Sequence, residues 1–193
     1  SEVAEQIAHH LLESKQPGTA LPFLLTAAQR KSRQNKLQEA RHLLRQAQSI
    51  LPRVEEQFPE EQRNKHYMLL YRLLAKDAGQ RGASSQALQH WKVAFRYAEL
   101  CGKGKRSAQI GLSLCVAQME QGEDPEGIEA HLAAVPGDDP KKLRALHSLA
   151  FYRLESGEKP QALEIWRALK SNDGLNERTT GEAGRGIGLL LGK

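Results

Sequence analysis

A chain of 193 residues, 39% hydrophobic and with a formal net charge of +5, can bury a sizeable core, yet is too mildly basic for charge alone to name an anionic partner. Its two cysteines exclude a disulfide scaffold and are read as reduced thiols, which fits the cytoplasm. No apolar run reaches the length of a membrane span, no signal peptide is visible, and alternating runs of Val, Ile and Thr, the mark of strands, are missing. Leu, Ala, Gln, Glu, Arg and Lys dominate, and all are good helix formers, so the expected class is all-α.

Helical periodicity then runs along the chain. Residues 2–14 place Val3, Ile7, Ala8, Leu11 and Leu12 on one face, and Pro17-Gly18 breaks the pattern. A second helix, about 19–33, carries Ala20, Leu24 and Ala27, and a third, about 36–51, repeats the spacing with Ala40, Leu44 and Ala47. Pro52 and Pro59 bracket a non-periodic linker. From Met68 to Ala98 the chain reads as a helical hairpin. Met68, Tyr71, Leu74, Ala75 and Ala78 form one stripe, and Ala87, Leu88, Trp91, Ala94, Phe95 and Ala98 form the other. Gly82 ends the first helix in the left-handed conformation, and Ser84 or Ser85 caps the second. After a CGKGKRS connector comes a helix over about 106–121. Asp124-Pro125, Asp139-Pro140 and Lys159-Pro160 then each mark a helix start. A last helix from about Asn176 includes Ile187, Leu190 and Leu191 but also four glycines, at about 1 kcal/mol each relative to Ala. It is expected to fray unless a neighbour covers it.

The hairpin resembles the tetratricopeptide repeat, a unit of two antiparallel helices. Tyr71, Leu74, Ala75, Gly82, Ala87, Trp91 and Ala94 fall on its register. A second copy is Leu146, Leu149, Ala150, Gly157, Ala162 and Trp166, with Leu169 in place of the second small residue. A poorer third is Leu114, Cys115, Gly122, Gly127, His131, Ala134 and Pro136. The resemblance implies a right-handed α-solenoid of antiparallel helix pairs, about ten helices in one domain over 1–193. Degenerate repeats would fill 1–52, better-formed ones 62–170, and an unpaired helix 175–193. The set of helix-B residues at Ala20, Leu24 and Ala27 is followed too soon by that at Ala40, Leu44 and Ala47, so the strict period slips there. Both ends read as cuts from a longer protein.

Catalytic and cofactor chemistry finds no foothold. Gly104-Lys105 lacks the Gly that a phosphate loop needs five residues before Gly104, since Glu99 stands there, and a preceding strand is missing too. The seven histidines form no HExxH or Cys/His zinc pattern, and His131 reads as semi-core. The acids cluster at turns and helix starts, where they serve the helix dipole. The expectation is therefore no enzyme, no metal and no cofactor. Arg30, Lys31, Arg33, Lys36, Arg41 and Arg45 form a basic run without interleaved aromatics, which reads as a solvated face and disfavours nucleic acid.

In repeats of this kind the concave face is lined by the first helix of each pair. The resemblance then implies Arg72 and Lys76, Leu112 and Val116, and His147 and Phe151 as partner-binding positions, flanked by Gln109 and Arg144. Such a lining suits a protein or peptide with acidic groups at one end and an apolar side chain at the other. It departs from the carboxylate-clamp version of the family, which has Lys and Asn at defined sites. The stretch Ala8 to Ala28, AHHLLESKQPGTALPFLLTAA, is also similar to the helical region that follows the kinase or ATPase core of large bacterial signalling proteins. That implies a non-catalytic, regulatory protein-interaction module of a serine/threonine kinase or ATPase type protein, with other domains of the same chain as further partners. The alternative is a nucleic-acid-binding or effector-sensing domain of a transcriptional regulator.

Overall fold

The computed structural model describes residues 2–102, 104–170 and 184–188. Among these the regular structure is helical, without strands: α1 (Glu2–Glu13), α2 (Pro17–Arg33), α3 (Leu37–Val54), a one-turn 3-10 helix (Glu55–Gln57), α4 (Glu60–Gln80), α5 (Ser84–Leu100), α6 (Lys105–Met119), α7 (Ile128–Ala133), α8 (Pro140–Glu155), α9 (Lys159–Lys170) and a helical stretch at 184–188. The chain forms two compact units, residues 1–103 and 104–193.

One turn geometry recurs. After α4 the Ala83 N–H reaches back to the Ala78 carbonyl at 2.9 Å and the Gly82 N–H to Gly79 at 3.0 Å. This pair of reverse bonds satisfies orphan carbonyls, and it requires Gly82 to be left-handed, at φ +72°. The same pair closes α1 around Lys15, α2 around Asn35, α6 around Gly122 and α8 around Gly157. The residue after the left-handed one then starts the next helix, accepting the N–H of Ala20, Ala40, Ala87 or Ala162 at 2.9–3.1 Å.

Those four alanines are buried, and so are the residues four and seven places on: Leu24 and Ala27, Leu44 and Ala47, Trp91 and Ala94, Trp166 and Leu169. The chain reverses within three residues. A small side chain must therefore sit where the new helix first meets the old one, and a large one fills the space as they diverge. The apparent slip of period near the N-terminus has the same origin. α2 packs on both α1 and α3. It is thus the second helix of one hairpin and the first of the next, so helices carrying the signature follow one another one helix apart.

In the first unit α4 is the central helix. It packs on α2, α3 and α5. It buries Met68, Ala75 and Ala78, but also Leu70, Leu73, Asn64 and Asp77. The single stripe expected from the sequence is too narrow, because a helix with neighbours on three sides buries residues outside one stripe; Tyr71 and Leu74 are only half-buried. The helix also starts well before Met68, and α3 runs on through Pro52 to Val54, so the linker is mostly helical.

In the second unit α6 packs on α7 and α8, and α8 on α9. Asp139 caps α8 as expected, its carboxylate accepting the Lys141 N–H at 3.0 Å, with Pro140 at the first position. Asp124-Pro125 does not start a helix. Gly127 is left-handed at φ +68°, which delays α7 to Ile128, and the Glu126 carbonyl takes the Cys115 thiol at 3.6 Å. His131 packs against Gly111, where a β-carbon would come within 2.4 Å of its ring. The stretch at 184–188 is not unpaired. Ile187 joins the cluster around Trp166, and Gly186 lies so close to that indole that a β-carbon would meet it at 2.5 Å. The expected end of α9 near Asn172 and the last-helix positions Leu190 and Leu191 lie outside the described residues.

Two outcomes follow from this packing. Gly82→Ala costs about 1 kcal/mol in urea unfolding and Lys15→Gly gains about half of that, because only the first forces a β-carbon into the left-handed region. Gly111→Ala destabilises by roughly 1–2 kcal/mol, but in a His131→Ala background the same change becomes stabilising by up to about 1 kcal/mol, since the clash is gone and helix propensity remains.

Candidate binding surface

Half of the basic run, Lys31, Lys36 and Arg41, is paired with carboxylates. Lys31 is buried between Glu5 of α1, at 2.9 Å, and Glu39 of α3, and these two carboxylates hold its ammonium protonated well above the ordinary lysine range. Arg41 of α3 donates to Asp77 of α4 at 3.0–3.2 Å, and Asp77 also takes Arg81 Nε at 3.0 Å. Lys36 lies 3.8 Å from Glu39. Lys31 and Arg41 thus tie α1, α2, α3 and α4 together, which the one-dimensional charge pattern could not show, while Arg30, Arg33, Lys36 and Arg45 are exposed as expected of a solvated face.

A different set of cations gathers where α2 meets α4. The carbonyl oxygen of Gln29 on α2 accepts from Arg33 Nη2 at 3.1 Å and from Arg72 Nη2 of α4 at 3.2 Å. Lys76, one turn beyond Arg72, reaches solvent beside them. Desolvation, then the Arg72 charge and the Arg33 charge, lower its affinity for a proton below the ordinary lysine value. Asp77, next to Lys76 in sequence, faces α3 instead. Arg72 and Lys76 are thus brought together as the sequence implied. Gln29 and Arg33 complete the cluster and were missed. The signal was available: Gln29 stands six residues before the left-handed Asn35, as Lys76 stands six before Gly82.

The remaining positions lie in the second unit and behave differently. Leu112 and Val116 are core residues of α6, packed with Ile128, Val135 and Leu149, so they line no open surface. They are buried because α8 and Val135 cover the face of α6 that the repeat register would leave open. Gln109 donates to the Asp139 carboxylate at 2.6 Å. Burial opposes ionisation of Asp139, but the Lys141 N–H, the Gln109 amide and the Lys105 and Lys141 charges hold its carboxyl below the usual range. Arg144 is exposed and lies 3.5 Å from Glu120. His147 and Phe151 form an edge-to-face pair at 4.9 Å, and Phe151 meets Trp166 in the same way at 5.1 Å, so this end presents half-buried rings braced from below.

Among the described residues no group of three or more His, Cys, Asp or Glu is placed to hold a metal ion, and no helix is long and apolar enough to cross a membrane. Cys115 is buried and its thiol is pushed up to about 11 by desolvation, the opposite of an activated nucleophile.

No protein-family model matches the chain, and no curated protein does. Among solved structures it is similar to the crystal structure of BtubC (BKLC) from P. vanneervenii, with a TM-score of 0.68 and 19% sequence identity over 99% of this chain and 78% of that one. The likeness is one of fold: this chain shares the all-helical fold of that bacterial protein.

The gathering of Arg33, Arg72 and Lys76 has a measurable cost. Lys76→Met raises the melting temperature, by more at low ionic strength than in concentrated salt. The sign with pH follows from the lowered folded-state value. Between it and the ordinary 10.5 the unfolded chain binds the extra proton, so stability rises with pH through that window. Lys76→Met removes that rise, and an unchanged pH profile would show that the three charges do not repel.

Proposed function

We propose that the chain is a non-catalytic protein-interaction module that binds a protein or peptide along the α2–α4 face. The observation that carries this reading is the gathering of Arg33, Arg72 and Lys76 where α2 meets α4, with Gln29 beside both guanidinium groups and the Arg72 and Arg33 charges felt at Lys76. In the finer form of the proposal the hairpins are tetratricopeptide-like repeats wound as a right-handed α-solenoid. Five turns of identical bonding, and three helices of small–bulky–small spacing with a fourth that has Leu169 in the last place, support it. The similarity of Ala8–Ala28 to the helical region of large bacterial signalling proteins supports a regulatory role beside a serine/threonine kinase or ATPase domain, in the cytoplasm.

A non-catalytic role agrees with what the acids do. Asp139 caps a helix, Asp77 and Glu39 pair with cations, and Glu55 accepts the Tyr67 hydroxyl at 2.7 Å. Each has a structural partner, and no two converge on an open cleft.

Peptides selected from a random display library against the whole chain test the reading. Arg72→Glu with Lys76→Glu is expected to weaken the selected peptides by about tenfold or more while the helical circular dichroism is unchanged. Equal binding by the double variant removes the α2–α4 face. Failure to select any peptide, with steeply salt-dependent binding of an oligonucleotide instead, replaces the reading by the nucleic-acid one.

A further inference from the structure

We infer that the first unit carries a further site, a groove between α1 and α3 that binds an uncharged extended peptide with a large aliphatic side chain. The site is separate from the α2–α4 face. Lys31, which lines the groove, and Gln29 are two residues apart on α2 and so about 200° apart around it. α1 and α3 both pack on α2, and Lys31 joins all three through Glu5 and Glu39. Beside that tie the outer helices part around an open groove of about 480 Å³. Its volume lies within the roughly 300–1,000 Å³ that ligand sites span.

The lining sets the chemistry. Lys31 is 7% exposed, and its ammonium has three donors, of which Glu5 and Glu39 take two. The third is left for a carbonyl in the groove, and the half-buried Glu5 carboxylate at the same end accepts an N–H. A peptide chain offers both groups without charge. An incoming carboxylate would meet Glu5 and an incoming ammonium would meet Lys31, so the ion pair disfavours either sign. Leu12 lies seven residues beyond Glu5 on α1, about 10.5 Å along the axis, with Leu24 and Leu43 lining the same groove. Three residues of an extended chain cover about 10 Å. A chain held at Lys31 therefore brings an aliphatic side chain three residues away over Leu12. Gln6 of α1 and Gln46 of α3 stand on opposite walls, and each amide both donates and accepts, as the main-chain groups in between require.

The experiment uses the whole chain and four labelled peptides with capped ends. They share one uncharged sequence and differ in a single central residue, Leu, Ala, Glu or Lys. Fluorescence anisotropy is expected to show the Leu peptide binding at least about tenfold more tightly than each of the others. His42→Trp brings an indole into the groove from an exposed position on α3, and Gln6→Trp does the same from α1. Each is expected to remove the preference with the helical circular dichroism unchanged. Arg72→Glu with Lys76→Glu, on the other side of α2, is expected to leave it intact, so the groove and the α2–α4 face stand or fall separately. Equal binding of the Leu and Ala peptides overturns the proposal. So do tightest binding of the Glu or Lys peptide, binding of none of the four, or a preference that survives both tryptophan variants.

Discussion

Everything in this fold follows from how its helices end. A helix that stops leaves carbonyls without partners, and the two reverse bonds at Gly82, Asn35, Lys15, Gly122 and Gly157 satisfy them at once. The condition is one left-handed residue, and the consequence is a fixed exit direction. Because the exit is fixed at these turns, the first contact between the two helices that each joins falls on the same position, five residues after the left-handed one. Alanine stands there four times. Local backbone chemistry thus sets the packing, and the packing sets which faces of α2 and α4 lie side by side.

Where the turn varies, the packing varies with it. After Gly122 the small-residue position is Gly127, itself left-handed, and α7 shrinks to six residues. The bulky position is then His131, an imidazole lodged over Gly111 in place of an indole. A thinner second helix cannot cover α6 alone, so Val135 and α8 close over Leu112 and Val116. The two units consequently offer different surfaces: cations gathered around Gln29 in the first, and rings braced on Trp166 in the second.

The sequence showed the helices and two good copies of the hairpin because glycine and tryptophan are unambiguous at their positions. It did not show the turns at Lys15 and Asn35. Asparagine tolerates the left-handed region and lysine merely endures it, so neither stands out as a marker. Missing them made α2 look like a second helix only, and that hid Gln29 and Arg33, which its other role as a first helix places beside α4. The misplacement of Leu112 and Val116 has a related cause. A repeat register gives the direction of a side chain from its own helix but not what a neighbouring, irregular segment lays across it.

The cationic cluster itself is not required by the fold. Gln29 at a position beside two guanidinium groups is the weaker choice, since glutamate would give two charge-assisted bonds there and relieve the repulsion felt by Lys76. Elsewhere in the same unit that choice is made: Glu5 and Glu39 on Lys31, Asp77 on Arg41. Arg33, Arg72 and Lys76, gathered where α2 meets α4, raise the local positive potential, which a bound anion would lower. Departures of this kind from local consistency are where function is expected to sit. The proposed α2–α4 face rests on that gathering of charge, more than on any single residue.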